Sequence, residues 1–210
     1  AIEDASREAL STFGDGRVFV EPFFSKGRHV EVQILGDAFG NVIHLGEREC
    51  SIQRRNQKLI EETPSPGITQ EIREKIWDSA VSLAKHVKYL NAGTVEFLIS
   101  ENNDVVFLEV NTRLQVEHPI TEAVTGLDLV ELQIHIAEGS QLPISQQDVI
   151  FTGHALEVRV VAEDPSINWL PSTGSITAFQ INDQVRIDTG IQTGSTITPD
   201  YDSLIAKIIT

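Results

Sequence analysis

Two glutamates, Glu96 and Glu109, flank a turn in a way that invites metal chemistry. Residues 94–99 (TVEFLI) and 105–110 (VVFLEV) read as strands around Glu101-Asn102-Asn103-Asp104. A two-residue turn centred on Asn102-Asn103 sets Glu96 directly opposite Glu109 on one face of the hairpin. A three- or five-residue loop shifts that register by one. Directly opposed like charges destabilise a sheet, so such a pair needs a cation, a proton or a nearby arginine. Asn111 and Arg113 share the parity of Glu109 and follow on its face. Two carboxylates and an amide oxygen suit a hard divalent cation such as Mg²⁺. The alternative is a solvated strand face with each glutamate paired to a surface lysine. Without metal, one of the two carboxyls is expected to titrate high or to lean on Arg113.

Two further stretches carry donors and a base. Arg54-Arg55-Asn56-Gln57-Lys58 is the densest basic run in the chain. Its side chains can serve phosphate, ribose hydroxyl or carboxylate groups, or form a solvated loop. Arg113, Gln115 and Glu117 alternate with Thr112, Leu114 and Val116 before Pro119 starts a new element. A cation, an amide and a carboxylate on one edge can hold a small oxyanion and deprotonate it. A bland reading is an Arg113–Glu117 pair that ties down a loop, with His118 structural. No Ser-His-Asp pattern, Walker loop or zinc-ligand spacing is present in the sequence.

These groups must be positioned by an ordinary globular scaffold. The 210 residues are 40% hydrophobic and 22% charged. With 31 acidic against 16 basic residues the net charge is −15, which argues against nucleic acid or an anionic membrane as the partner. The single Cys50 excludes a disulfide framework. No apolar run reaches the ~18 residues of a membrane span. The chain contains no Met, which suggests a fragment of a longer protein.

Along the chain, residues 1–13 read as a helix stopped by Gly14-Asp15-Gly16, and Arg17–Glu21 as β-like. Residues 28–35 alternate, with Val30, Val32 and Ile34 on one face and His29, Glu31 and Gln33 on the other; Val42–Leu45 completes a hairpin. Residues 46–68, polar and followed by prolines, read as loop. Thr69 caps a helix whose stripe is Ile72, Ile76, Ala80, Leu83, Val87 and Leu90, ended by Asn91-Ala92-Gly93. Asp128 with Glu131 opens a helix to about Glu138, closed by Gly139. From about residue 150 the texture becomes short β segments (154–161, 175–181, 185–188 and 203–209), which places a boundary near 145–152.

Glu49-Cys50-Ser51-Ile52-Gln53-Arg54-Arg55-Asn56-Gln57-Lys58, Ala92-Gly93-Thr94-Val95-Glu96-Phe97 and Glu109-Val110-Asn111-Thr112-Arg113-Leu114-Gln115-Val116-Glu117-His118-Pro119 together resemble biotin carboxylase, the ATP-grasp component of biotin-dependent carboxylases. Glu157–Pro165 and Tyr201–Lys207 continue the pattern. The resemblance implies an α+β chain: the end of the ATP-grasp lid subdomain (1–24), the ATP-grasp catalytic subdomain with its antiparallel sheet (25–150), and the start of the β-rich C-terminal domain (151–210). It implies an ATP-dependent ligase that carboxylates biotin on a carrier domain through carboxyphosphate. ATP, Mg²⁺ or Mn²⁺ and biotin are then the cofactors. The carrier domain and a carboxyltransferase component are the partners, in a homo-oligomeric protein of the cytoplasm or mitochondrial matrix.

Residue by residue, the resemblance assigns metal to Glu96, Glu109 and Asn111. It assigns bicarbonate to Lys58, Arg113, Gln115 and the backbone N–H of Val116. Glu117 becomes the base, and Arg159 the group facing the biotin enolate oxygen. Nucleotide contacts fall to Glu21, Phe24, His29, Gln53 and Asn56 as well as to the metal carboxylates. Many members carry His where Asn56 stands; Asn keeps hydrogen bonding but no charge. The Arg-Arg-Asn-Gln-Lys run is similar to the propionyl-CoA and urea carboxylase branches, and with Glu49-Cys50-Ser51-Ile52 before it the resemblance leans to the propionyl-CoA type of acyl-CoA carboxylase. The family's Gly-rich lid and two ATP-binding lysines have no counterpart in these residues, so the isolated chain is expected to be inactive. The rival readings are a non-catalytic truncated scaffold and another ATP-grasp carbon–nitrogen ligase.

Overall fold

The computed structural model describes residues 1–24, 26–181 and 184–210. Helix α1 (Ile2–Phe13) opens the chain and ends at Gly14 in the left-handed region (φ 74°). Arg17–Glu21 do not form the expected strand. Phe19 and Val20 are 82% and 78% exposed, so their alternation faces no partner strand among the described residues.

The body is one antiparallel sheet. Its first strands are β1 (Gly27–Gly36), β2 (Val42–Arg54) and β3 (Gln57–Thr63), followed by helix α2 (Gln70–His86). Then come β4 (Asn91–Ser100), β5 (Val105–Asn111), helices α3 (His118–Thr125) and α4 (Leu129–Ala137), and β6 (Ala155–Val161). Short strands follow: β7 (Glu163–Asp164), β8 (Leu170–Pro171), β9 (Gly174–Ser175), β10 (Arg186–Asp188), β11 (Thr196–Ile197) and finally β12 (Leu204–Ile209). The eight-stranded order is β10-β12-β6-β3-β2-β1-β4-β5. The sheet therefore runs across the compositional boundary near residue 150. The lid boundary at 24/25 falls on Ser25, outside the described residues.

The alternation of β1 divides two environments. Val30, Val32 and Ile34 pack with Val95, Phe97 and Ile99 against Ile72, Ile76, Ala80 and Ala84 of α2. Each of these Val, Ile and Phe side chains contributes roughly 1.5–3 kcal/mol by burial. The opposite face carries His29, Glu31 and Gln33, and it too is closed over: Glu31 and Gln33 are fully buried. A second apolar cluster, with Leu35, Ile43 and Leu45, holds α4 through Leu129, Leu132 and Ile136.

Three readings of the sequence change. Residues 46–68 are not a loop: β2 continues to Arg54 and returns as β3 through Arg55 and Asn56, both at positive φ (52° and 62°). Such φ values make the tight two-residue hairpin turn that matches strand twist. Polar composition misled because Glu47, Arg48 and Glu49 are buried within the sheet. Helix α2 ends at His86, not at Asn91; Lys88 turns the chain (φ 52°) and Asn91–Gly93 already belong to β4. Val87 and Leu90 leave the stripe and are exposed, while Ala84 joins it. Of 175–181 only Ser175 is in a strand, paired with Thr196.

The hairpin of Glu96 and Glu109 reaches its expected register by a different route. The turn is a three-residue loop: Ser100 N–H donates to the Asp104 carbonyl (2.9 Å) and Asn103 N–H to that of Ser100 (2.9 Å). Near it, Ile99 faces Val105 and Leu98 faces Val106, one residue off the expected pairing. A bulge then places Leu108 as the extra residue in β5, and Glu96 faces Glu109, with Thr94 facing Asn111.

Candidate functional site

A cavity of about 720 Å³ opens on the polar face of the sheet. Its floor is built from period-two neighbours: His29 on β1, Gln53 on β2, Lys58 on β3, Glu96 on β4, and Glu109 and Asn111 on β5. The bulge turns both Leu108 and Glu109 into the cavity. The segment after β5 adds Arg113, Gln115, Val116 and Glu117, and β6 adds Arg159. Phe24 and Asn56 lie on the rim lining, whereas Glu21 is exposed and outside it. All the sequence-derived site residues except Glu21 therefore meet in one place.

Glu96 is the most tightly held. Its Oε1 accepts from Asn111 Nδ2 (2.8 Å), Gln115 Nε2 (2.9 Å) and Lys58 Nζ (3.0 Å), and its Oε2 meets His29 Nε2 at 2.5 Å. Burial pushes its carboxyl up, but the bonds from His29 and Gln115 and the charge of Lys58 outweigh that and hold it at about 2. Glu96 therefore meets neither expected alternative, a raised carboxyl or a lean on Arg113. Arg113 is exposed, bonds only the Leu114 carbonyl (3.3 Å) and makes no ion pair among the described residues. The neutralising partner is Lys58. Glu109 has one long contact, from Asn111 Nδ2 at 3.4 Å.

Lys58 contacts three acids: Glu31, Glu96 at 3.0 Å and Glu117 at 2.7 Å. Burial works against its charge, but Glu31, Glu117 and Glu96 together raise its pKa. Glu117, 2% exposed, precedes α3 and sits between two cations. Its Oε1 takes Lys58, and its Oε2 takes Arg159 Nη2 at 3.1 Å. The Arg113–Glu117 tie of the bland reading is absent here, since both Glu117 oxygens are engaged elsewhere. His118 is structural, with Nδ1 against the Gln115 carbonyl at 2.8 Å. In the basic run, Arg54 pairs with Glu163 and stacks over Trp169 (4.4 Å to the ring centroid), so it braces the C-terminal strands.

Sequence reasoning missed a buried layer beneath this site. Arg48, with no exposure, binds Glu31, Gln33, Thr94, Gln115 and Thr121. Glu61 holds Arg159 at 2.7 Å. Glu31 shares the parity of His29, which was the available signal; Arg48 lay in residues read as loop.

The oxygen donors fit a hard divalent cation. Glu96 and Glu109 project from facing positions, Asn111 adds an amide, and Glu109 is left accessible to a ligand. Among the described residues, His29, Glu31 and Glu96 also bring donor atoms within 4.8 Å of one another.

Comparison with known proteins places this geometry. Residues 1–145 match the family described as carbamoyl-phosphate synthase L chain, ATP binding domain, and residues 157–210 match the biotin carboxylase C-terminal domain. The chain is 51% identical to biotin carboxylase 2 of Bacillus subtilis, covering 100% of this chain and 47% of that protein. It is 47% identical to the mitochondrial methylcrotonoyl-CoA carboxylase subunit alpha of Mus musculus, over 99% of this chain and 29% of that subunit. Among solved structures it resembles the biotin carboxylase domain of the Hydrogenobacter thermophilus 2-oxoglutarate carboxylase, a dimer in complex with MgADP, ADP and bicarbonate (TM-score 0.94, 47% identity, 100% of this chain and 47% of that one). The chain thus spans about half the length of the biotin carboxylases it matches, or less. With the ATP-binding model and the biotin carboxylase C-terminal model matched in sequence order, and one antiparallel sheet running through both, the chain belongs to the biotin carboxylase family.

Proposed function

We propose that this chain forms the metal, bicarbonate and biotin side of an ATP-dependent biotin carboxylase site. The observation that carries the reading is Glu117 clamped between Lys58 and Arg159 on the wall of a cavity that also holds Glu96, Glu109 and Asn111. Glu117 is the base for bicarbonate. Lys58, Arg113, Gln115 and the Val116 N–H hold that anion, and Arg113, with no acid partner among the described residues, is the cation most available to it. A divalent cation bound by Glu96, Glu109 and Asn111 supplies charge neutralisation for the ATP phosphates. Arg159 reaches from β6 to the same acid and faces the biotin oxygen. His29, Gln53, Asn56 and Phe24 line the nucleotide end, and Glu21 has no support in this geometry.

In this reading residues 25–150 are the catalytic subdomain, residues 1–24 belong to a lid, and 151–210 bring Arg159. A biotin carrier domain and a carboxyltransferase component are the partners. The structure of the Hydrogenobacter thermophilus relative is described as a dimer, which supports a homo-oligomer. No described helix is long and apolar enough to cross a membrane.

The test is Glu117→Gln in a complete biotin carboxylase carrying this chain. Turnover should fall about 10²–10⁴-fold, the range for losing a general base, while MgATP affinity stays within about twofold. An equal loss of nucleotide affinity would make Glu117 a structural residue and sink the assignment.

A further inference from the structure

Behind Arg159 lies a pair of acids that the chemistry above does not use. β3 and β6 pair antiparallel with Glu61 directly opposite Glu157. Directly opposed residues project to the same side of a sheet, and Arg159, two residues beyond Glu157, shares that side. Both glutamates are fully buried. Three of their four carboxylate oxygens, Glu61 Oε2 and both of Glu157, have no hydrogen-bond partner among the described residues. The fourth, Glu61 Oε1, accepts from Arg159 Nε at 2.7 Å.

Two ionised carboxylates cannot rest this way at low cost. Each is acceptor-only, so neither can satisfy the other, and each bare buried charge costs several kcal/mol. One proton resolves both problems: a protonated Glu157 gains an O–H, and Glu61 Oε2 is an open acceptor on the facing strand. We propose that Glu61 and Glu157 share one proton across β3 and β6, with Glu157 the protonated member, and that this pair positions Arg159 against Glu117.

The surrounding charges agree. Burial is the leading influence on both acids, raising Glu61 to about 7 and Glu157 to about 8. Arg159 on β6 pulls Glu61 down, Lys207 on β12 pulls Glu157 down, and Glu117 at the start of α3 pushes both up; Glu31 on β1 adds to the push on Glu61. Lys207 spends its ammonium on the Val116 carbonyl (2.8 Å) and on Asp188 (3.5 Å) instead of pairing with Glu157. With Glu157 neutral, Arg159 sees one anion on each side, Glu61 and Glu117. Ionising Glu157 adds a second anion on the Glu61 side and draws the guanidinium away from Glu117.

The shared proton is independent of the proposed function; the consequence for turnover rests on it. Infrared spectra of the unmodified protein should show the carbonyl band of a buried carboxylic acid at about pH 7.5, between the two titrations. That band should disappear as pH rises through about 8, and at about pH 7.5 should be missing in Glu157→Gln, whose amide keeps a donor toward Glu61. Absence of the band from unmodified protein at about pH 7.5, or its persistence at that pH in a folded Glu157→Gln variant, overturns the pair. If the variant does not fold, the titration of the unmodified protein decides. In a complete biotin carboxylase, Glu61→Gln should cut biotin-dependent turnover on the order of 10- to 100-fold, the scale of a misplaced reacting group, with biotin-independent ATP hydrolysis within about twofold. Glu157→Gln should stay within about twofold at pH 7 and lose the alkaline fall in rate. Equal loss of both activities in Glu61→Gln, with the infrared band intact, would overturn the positioning of Arg159 and leave the shared proton standing.

Discussion

Glu96 and Glu109 face each other directly across β4 and β5, yet Glu96 is held by four polar side chains and Glu109 by one long contact. Glu96 is therefore part of the folded polar core, and Glu109 is an exposed carboxylate with little to hold it. This inequality separates binding from stability. Glu109→Gln should weaken Mn²⁺ binding in the presence of ADP about tenfold or more, because a hard cation loses one of its few charged oxygens. The same change should leave the melting temperature unchanged, since an exposed side chain away from a network alters stability by about 0.5 kcal/mol at most. Electron paramagnetic titration of Mn²⁺ and a thermal melt decide; unaltered Mn²⁺ affinity would remove Glu109 from the metal site.

The sequence located this pair better than it located what neutralises it. Strand parity and the Asn102-Asn103 turn put Glu96 opposite Glu109, but the turn takes three residues and the bulge at Leu108 corrects the register. Two local irregularities cancelled, which no period-two reading can foresee. Arg113 is the partner that strand parity predicts, because it follows Glu109 on the same face. Lys58 and His29 hold Glu96 instead because β1 pairs beside β4 and β3 lies further along the same sheet, and that is long-range topology. The polar stretch from Glu47 to Lys58 looked like loop because buried charge is rare. Here Glu47, Arg48 and Glu49 are buried within the sheet and Gln53 and Lys58 line the cavity, so composition follows chemistry and not strand propensity.

Lys58 is the cation that three of the site's acids share. It is 12% exposed in its side chain and contacts Glu31, Glu96 and Glu117 at once. Lys58→Met removes the cation and leaves three acids crowded around an apolar chain. The expected cost is about 3–5 kcal/mol in unfolding free energy, as when one partner of a buried pair is deleted. Urea denaturation measures it. Adding Glu31→Gln to Lys58→Met should recover part of the loss by removing one of the unpaired charges; a strictly additive double variant would show that the acids do not act on one another through Lys58.

His44 gives the fold an acid-sensitive point away from the site. Its ring lies 4.4 Å from the Trp77 ring centroid and 6.4 Å from that of Phe151, and its Nδ1 accepts from the Gly46 N–H at 3.3 Å. Burial lowers its pKa to about 4, with Asp78 opposing. The unfolded chain thus binds a proton at about pH 6.5 that the folded chain refuses until about pH 4. The associated stability is fully present above pH 6.5 and is lost as pH falls toward 4, by roughly 3 kcal/mol at most. His44→Phe should flatten this part of the stability profile between pH 7 and 4 relative to the unmodified protein. Parallel profiles for the two would show that His44 titrates normally.

Arg48 is the residue on which the buried layer converges. Its guanidinium has five N–H donors and five acceptors around it: Glu31 at 2.6 Å, Gln33 at 2.8 Å, Thr121 at 2.9 Å, Gln115 at 3.1 Å and Thr94 at 3.4 Å. Two of these acceptors lead directly to the site. Glu31 holds Lys58, and Gln115 holds Glu96 through its amide N–H. Arg48 therefore sets the orientation of Gln115: with Oε1 committed to the guanidinium, Nε2 must point to Glu96. Lysine keeps the charge but has three donors on a single nitrogen and no planar fork. Arg48→Lys should retain the Glu31 contact, leave two or more buried acceptors bare at about 1–3 kcal/mol each, and free Gln115 to flip. The unfolding midpoint should drop accordingly, and Mn²⁺ affinity should fall as Glu96 loses its amide. A Gln115→Glu change has the opposite logic. It keeps the acceptor toward Arg48 and replaces the donor toward Glu96 with a second acid, so Glu96 should titrate upward while Arg48 stays satisfied. If Arg48→Lys lowers stability but Mn²⁺ affinity is unmoved, Arg48 supports the sheet alone and the link through Gln115 fails.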